Sequence, residues 1–228
     1  MKTLNCNLLG APVQAGAGVA GCLMGPDAYR TAGLGETLQA LGHGVSDLGN
    51  VVPLQIADQS HPNPAVHHLP EIIGWSKALQ DAAYNAAKTS DLPIFLGGDH
   101  SLSIGTVPGV TRHTHEQGRQ QFVLWLDAHP DLHSLTTTGS GNLHGTPVAY
   151  FSGQPGFDGY YPPLIAAVDP ANICMMGIRS VDPGEQAVIS AQPFNVHDMR
   201  AIDEEGIKTP LTIFLDRVRA FDGALHVS

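Results

Sequence analysis

The stretch WLDAHPDLHS, residues 125–134, carries side chains whose types and spacing suit metal binding. Asp127, His129 and Asp131 stand at alternate positions directly after an apolar run. Residues two apart point the same way in extended backbone, so the three side chains converge if the segment stays extended. Carboxylate oxygen combined with imidazole nitrogen suits Mn, Fe or Zn better than Ca or Mg. The alternative, a solvated acidic loop, fits poorly because an apolar strand leads directly into the segment.

A second candidate is GGDHS, residues 97–101, which follows the apolar run LPIFL. Two glycines allow a tight turn and a close backbone approach, and His100 then emerges at the end of a predicted strand. Ser101 is a candidate cap for the following helix. On its own, the segment is equally well explained as a glycine turn with a capping Asp or Ser.

The segment TTTGSGNLHGTP, residues 136–147, offers polar groups among glycines. Ser140 and Asn142 suit a polar ligand that lies close to the backbone, and His144 is a candidate for proton transfer. Taken in isolation, an ordinary Ser/Gly/Thr loop explains this segment better.

The segment GIRSVDPGE, residues 177–185, reads as the start of a helix. Asp182 precedes Pro183, and Glu185 stands at the third helical position, so the pattern predicts a capping box. Because capping accounts for Asp182 structurally, a role in substrate binding needs further support.

The elements that position these residues alternate between strands and helices. Nearly continuous apolar runs predict strands buried on both faces of a parallel sheet, and the pattern favours a doubly wound α/β fold. Ligands bind at the carboxyl ends of such strands, where all four segments fall. The predicted strands cover residues 3–11, 92–98, 121–128, 171–178 and 223–228, the predicted helices 26–41 and 70–88, and two long surface loops 60–70 and 151–163.

Composition narrows the class of protein. The chain has 228 residues, 43% of them hydrophobic and 14% charged, which fits one α/β domain over 1–228. Its formal net charge of -10 disfavours nucleic acid and anionic membranes as partners and is compatible with a small cationic substrate. Three widely spaced cysteines, Cys6, Cys22 and Cys174, fit a reducing cytoplasm. No apolar run approaches the length of a membrane span.

Together, the four segments resemble the ureohydrolase family of arginases and agmatinases. GGDHS, DAHPD and SGNLHGTP occur in the family's order, and VDPGE after an IR dipeptide looks specifically like an arginase. The resemblance covers essentially the whole chain. It implies a three-layer α/β/α sandwich around an eight-stranded, mainly parallel sheet.

The resemblance also implies a pair of Mn²⁺ ions and a reaction. His100 and Asp131 would bind the first ion, His129 the second, and Asp127 would bridge them. A metal-bridging hydroxide would attack the guanidinium carbon of L-arginine and release L-ornithine and urea, with His144 moving protons.

At the far end of the substrate, the resemblance assigns further contacts. Ser140 and Asn142 would lie along its carboxylate, and Asp182 would face its α-ammonium group. At position 133 arginases usually carry Asn to hold the carboxylate, and His133 would bind the substrate there instead, since a histidine still offers a hydrogen-bond donor. The change keeps agmatine, guanidinobutyrate and other guanidino compounds open as alternative substrates. Zinc deacetylases share a related architecture, but the two histidine-containing motifs predict two ions rather than one.

The family continues beyond the point that corresponds to Ser228, with a DxD pair that completes both ion sites. We therefore expect this sequence to be incomplete at its C-terminal end, without the last strand and helices, and to show a gap beside residues 223–228. The resemblance implies a homotrimer or hexamer for a complete chain. An inactive, truncated homologue that only binds partners is the non-enzymatic alternative.

Overall fold

The computed structural model describes residues 2–228 and contains seven strands, which are all parallel, and eight α-helices in that range. The strands are β1 Asn5–Ala11, β2 Gly44–Asn50, β3 Leu92–Gly97, β4 Gln121–Leu126, β5 Ile173–Ile178, β6 Asn195–Asp198 and β7 Ala224–Val227. The helices are α1 Gly25–Thr31, α2 Leu34–Ala40, α3 Leu69–Thr89, α4 Ser103–Glu116, α5 Pro147–Phe151, α6 Pro183–Ala191, α7 Met199–Glu205 and α8 Lys208–Ala220.

The strands form two sheets, with the order β2-β1-β3 in one and β6-β5-β4-β7 in the other. The predicted α/β class with parallel strands is confirmed. The strands do not form one continuous eight-stranded sheet, because β3 and β7 are edge strands that share no backbone hydrogen bonds across residues 2–228. The two histidine-bearing segments follow β3 and β4, one from each sheet.

Alternation along β4 shows why the molecule has three layers. Phe122 and Leu124 pack on one side of the sheet with residues of α8, whereas Val123 and Trp125 pack on the other side with residues of α3 and α4. All four side chains are buried, as expected for a strand covered by helices on both faces.

Helices α3 and α4 approach closely through Gly105. A Cβ atom at this position would overlap the Cβ of Leu79 and lie 2.9 Å from the backbone oxygen of Ser76. Only glycine allows this helix–helix distance. The contact fixes α4, which begins two residues after the His100–Ser101 pair.

Several predicted element boundaries were wrong for identifiable reasons. The predicted helix 26–41 is two helices, because Gly33 has a left-handed φ of 82° between α1 and α2. Strands β2 and β6 were not predicted because their sequences lack a continuous apolar run, and their residues are exposed or only partly buried. The loop after Phe151 is not purely a surface loop, since Phe157 and Tyr161 are buried in the core.

A groove of about 800 Å³ separates β3 from β7. Phe95 of β3 and His226 of β7 meet across it, with ring centroids 6.1 Å apart. Leu225 and Val227 are 39% and 55% exposed. The groove therefore leaves apolar side chains of β7 partly exposed. None of the helices within residues 2–228 is long and apolar enough to cross a lipid bilayer.

Candidate metal centre and substrate loops

The turn after β3 aims His100 at the end of β4. Gly98 lets the turn approach the 11–17 segment, because a Cβ atom there would overlap the backbone oxygen of Val13. Asp99, not Ser101, caps the short 3-10 helix His100–Leu102, since the backbone N–H of Ser101 donates to Asp99 Oδ1 at 3.0 Å. The predicted capping role of Ser101 was wrong, because its own N–H is one of the groups being capped.

His100, Asp127 and Asp131 form one cluster, which we call the His100 cluster. His100 Nδ1 lies 2.8 Å from Asp127 Oδ2 and 3.1 Å from Asp131 Oδ2. One ligand atom from each residue lies within 4.8 Å of the others. The arrangement brings an imidazole nitrogen and two carboxylate oxygens together at the carboxyl end of the sheet.

The Asp131 carboxylate is placed as an ion ligand would be. Its side chain is 5% exposed, and Oδ2 accepts no well-directed hydrogen bond from any group in residues 2–228. One imidazole N–H cannot point at two acceptors, and the shorter contact of His100 is with Asp127. A buried carboxylate oxygen without a donor is costly unless a cation neutralises it. The donor set therefore fits a divalent ion of the Mn, Fe or Zn type.

Backbone geometry holds Asp131 in this position. Its φ is +50°, a left-handed conformation that non-glycine residues rarely adopt. Its carbonyl oxygen accepts hydrogen bonds from the N–H groups of Val148 and Ala149, at 3.1 and 3.2 Å. These bonds tie the residue to the first turn of α5 and keep its strained backbone in place.

The electrostatics of the cluster favour a cation. Burial on its own lowers the pKa of His100, but the hydrogen bond that it donates to Asp127, its close contact with Asp131 and Coulombic attraction to both carboxylates outweigh burial and raise the pKa to about 9. Burial raises the pKa of Asp127, yet hydrogen bonds from His100 and from backbone N–H groups bring it down to about 2. Burial raises the pKa of Asp131 despite the opposing effect of His100.

The ring of His100 is held by contacts that the sequence did not indicate. It stacks on Trp125, with centroids 4.1 Å apart and planes 8° from parallel. Its Nε2 atom lies 3.0 Å from Ser228 Oγ, so Nδ1 is the nitrogen left to face the aspartates. Trp125 was assigned only to the strand, because a buried aromatic residue in an apolar run gives no sign of a polar neighbour.

His129 does not join the cluster. It is 57% exposed, and its Nδ1 atom lies 3.5 Å from Asp127 Oδ1. The expectation that the 127–131 segment stays extended was wrong, because β4 ends at Leu126 and Asp131 turns into the left-handed region. Asp127 and Asp131 meet through this turn and not through strand alternation. A metal-binding role for His129 stays a prediction.

The loop with Ser140, Asn142 and His144 lies beside the cluster. His144 Nδ1 is 3.1 Å from the carbonyl oxygen of Gly16, to which it donates, so Nε2 is the ring nitrogen left to face a ligand. Ser140 is exposed, and its Oγ accepts a hydrogen bond from the Asn142 N–H at 3.3 Å. The roles of these three residues stay predictions.

Two residues of the 60–70 loop support this region and were missed. Asn63 Nδ2 donates to the carbonyl oxygens of Leu135 and Thr138, at 3.1 and 2.9 Å. His67 Nε2 lies 2.9 Å from the carbonyl oxygen of Ser140. Pairing between two loops so distant in the chain leaves no local signal in the sequence.

A second cluster, of one histidine and two acidic side chains, lies at the start of α6. His133 Nε2 lies 3.1 Å from Asp182 Oδ2 and 3.9 Å from Glu185 Oε2. The predicted capping box is confirmed, with the Asp182 N–H donating to Glu185 Oε2 at 3.0 Å. Glu185 Oε1 also accepts from the Leu132 N–H at 3.1 Å. Backbone donors thus occupy both oxygens of Glu185, which favours a structural role over metal binding.

Comparison with known proteins places these residues in a wider context. The profile of the Arginase family matches residues 4–228. Arginase from Agrobacterium fabrum is 57% identical over 223 residues, which cover 98% of this chain and 68% of that protein. Arginase from Brucella melitensis is 54% identical over 225 residues, or 99% of this chain and 73% of that protein.

Solved structures agree with the sequence matches. The structure of arginase from Bacillus caldovelox aligns with a TM-score of 0.83 at 29% identity and covers 100% of this chain and 75% of that one. The matched region includes every residue of the His100 cluster.

Proposed function

Because the chain belongs to the arginase family, hydrolases that act on carbon–nitrogen bonds, we propose that it hydrolyses the guanidino group of L-arginine to L-ornithine and urea. The observation that carries the proposal is the His100 cluster, in which a buried carboxylate oxygen of Asp131 lies beside an imidazole nitrogen and accepts no well-directed hydrogen bond from residues 2–228. The identities of 54–57% to two proteins named arginase support L-arginine as the substrate.

We propose Mn²⁺ as the metal. His100 and Asp131 would hold one ion, His129 a second, and Asp127 would contact both. Divalent ions bound there supply Lewis acidity, which makes water acidic enough to lose a proton near neutral pH. Water is otherwise a poor nucleophile, and the delocalised charge of a guanidinium makes its carbon a poor electrophile.

The chain's own residues orient the substrate and move protons. His144 donates its Nδ1–H to the carbonyl oxygen of Gly16, which leaves Nε2 as the nitrogen that exchanges a proton with the leaving amine. Ser140 and Asn142 offer hydrogen-bonding groups to the substrate's carboxylate end. Asp182, which is 68% exposed, offers its carboxylate to the α-ammonium group.

The test is urea release by the purified chain loaded with Mn²⁺, with L-arginine, agmatine and 4-guanidinobutanoate as substrates. We expect L-arginine to be hydrolysed fastest. Asp131→Asn should reduce urea release by more than about 100-fold, because a metal ligand is lost. The control Asp203→Asn alters an exposed carboxylate on α7 and should leave the rate unchanged.

Faster release from agmatine or 4-guanidinobutanoate would replace L-arginine with that substrate. No release from any of the three, at high protein and Mn²⁺ concentrations, would contradict the proposal and favour a homologue that only binds partners. Activity with one Zn²⁺ per chain, and none with Mn²⁺, would contradict the proposed metal.

A cytoplasmic location is proposed because all three thiols are free, two of them buried. A homotrimer or hexamer is proposed as the assembly and can be checked by light scattering. That residues 1–228 form a single domain stays a prediction.

A further inference from the structure

The side chain of His133 links the loop after Asp131 to the start of α6. Its Nε2 lies 3.1 Å from Asp182 Oδ2, and its Nδ1 lies 3.3 Å from Thr137 Oγ1. The imidazole is 14% exposed, so water has little access to either nitrogen. These two contacts therefore account for most of the polar environment of the ring.

The directions of the hydrogen bonds follow from what each partner offers. An ionised carboxylate only accepts, so the proton of the ring lies on Nε2 and is donated to Asp182. Nδ1 contacts the hydroxyl of Thr137, whose oxygen accepts from the Ser134 N–H at 2.9 Å. Both ring nitrogens are engaged, and His133 has no donor left for a substrate carboxylate.

Asp182 is held from the backbone as well as from His133. The N–H of Asp182 donates to Glu185 Oε2. The other carboxylate oxygen of Glu185, Oε1, accepts a hydrogen bond from the N–H of Leu132, the neighbour of His133. Gly184, in the first turn of α6, lies in van der Waals range of the imidazole, since a Cβ there would be 3.8 Å from the ring. The outer side of the Asp182 carboxylate stays open to a ligand.

We propose that His133 is a positioning residue that fixes the Asp182 carboxylate for the ammonium group of the substrate, and that it does not bind the substrate's carboxylate. The inference rests on the proposed function, because it takes the substrate to be a guanidino compound with an ammonium group at its far end. A histidine here thus serves the cationic end of the substrate.

Three substrates separate the two possible roles. L-arginine has both an ammonium and a carboxylate group, agmatine keeps only the ammonium, and 5-guanidinopentanoate keeps only the carboxylate. For His133→Ala, we expect KM to rise about tenfold for L-arginine and agmatine, because a charge-assisted hydrogen bond that orients their partner is lost. The carboxylate-only substrate should keep its KM, and all three substrates their kcat, within about twofold of the wild-type values.

His133→Gln should restore much of the loss, since its amide retains a donor for Asp182. The control His115→Ala removes an exposed histidine of α4 and should change none of the constants. Thermal melting identifies any variant that fails to fold. If His133→Ala does not fold, the kinetic constants of His133→Gln are compared with those of wild type instead.

The opposite pattern, in which KM rises for L-arginine and 5-guanidinopentanoate but not for agmatine, would overturn the proposal by assigning His133 to the carboxylate. An equal change for all three substrates, or none, would also overturn it. Calorimetric titration of the Mn²⁺-loaded chain with L-ornithine, putrescine and 5-aminopentanoate provides a readout without turnover. There, His133→Ala should weaken the first two ligands only.

Failure of the proposed function gives a different result. In that case the wild-type chain releases no urea and binds none of the three ligands, and both proposals are overturned together. If wild type is active and only the His133 pattern is absent, the assignment of His133 alone is overturned.

Discussion

Replacement of Gly105 by Ala tests the packing that supports the His100 turn. Gly105 lies in α4, where it contacts α3. An added Cβ overlaps the Cβ of Leu79 and comes within 2.9 Å of the backbone oxygen of Ser76. Neither of these atoms can move away through a rotamer change, so the two helices must separate.

The magnitude follows from two opposing effects. Overpacking a well-packed core costs about 1–3 kcal/mol, and the rigid neighbours of Gly105 place this site at the upper end. Replacing a helical glycine by alanine gains about 1 kcal/mol of helix propensity. We therefore expect Gly105→Ala to lower the free energy of unfolding by about 2 kcal/mol, as the difference between the two effects.

Gly35→Ala is the matched control. Gly35 lies in α2, and a Cβ there would meet Val45 at 3.9 Å, an ordinary van der Waals contact. This variant should gain up to about 1 kcal/mol, so the two variants should differ by about 3 kcal/mol. Urea unfolding followed by the fluorescence of the buried Trp75 and Trp125 measures both. Equal stability of the two variants would refute the argument that α3 and α4 need glycine at their contact.

Three further predictions concern single side chains. Burial, with a smaller contribution from the charge of His100, lowers the pKa of His226 to about 4. His226 therefore binds a proton more tightly in the unfolded chain than in the folded one. Its contribution to stability is complete above its ordinary pKa and is lost as the pH falls toward its folded pKa. From about pH 8 to about pH 5, wild type should lose about 2 kcal/mol more than His226→Gln in urea unfolding. Trp125→Leu should weaken Mn²⁺ binding about tenfold in calorimetry by freeing the ring of His100, whereas Trp75→Leu should not. Asp99→Ala leaves two N–H groups without their acceptor and should cost about 2–4 kcal/mol in urea unfolding, with a smaller loss for Asp99→Asn.

Strands with nearly continuous apolar sequences could be predicted from the sequence. The five predicted strands coincide with β1, β3, β4, β5 and β7 to within a few residues, because a nearly continuous apolar run has few alternatives in a parallel sheet. The edge strands β2 and β6 could not be predicted, because their sequences, GVSDLGN and NVHD, contain no continuous apolar run.

The candidate site could likewise be predicted only in part from the sequence. His100, Asp127 and Asp131 were identified from residue types and motif order, and the structure brings them together. Alternation along an extended strand does not bring them together, because Asp131 reaches the site through a left-handed turn. Such a turn depends on bonds from α5 and gives no sign in the local sequence.

The sequence by itself determined the chemistry that is available at the ends of the strands: which side chains can bind a cation, and in which order they follow along the chain. Only the tertiary structure decided which of them meet. It turned His129 outward, stacked Trp125 on His100 and paired His133 with Asp182. The physical reason is that residue type and strand pattern are local properties. A contact between side chains about fifty residues apart depends instead on the angles at which loops leave the sheet, and those angles are set by packing.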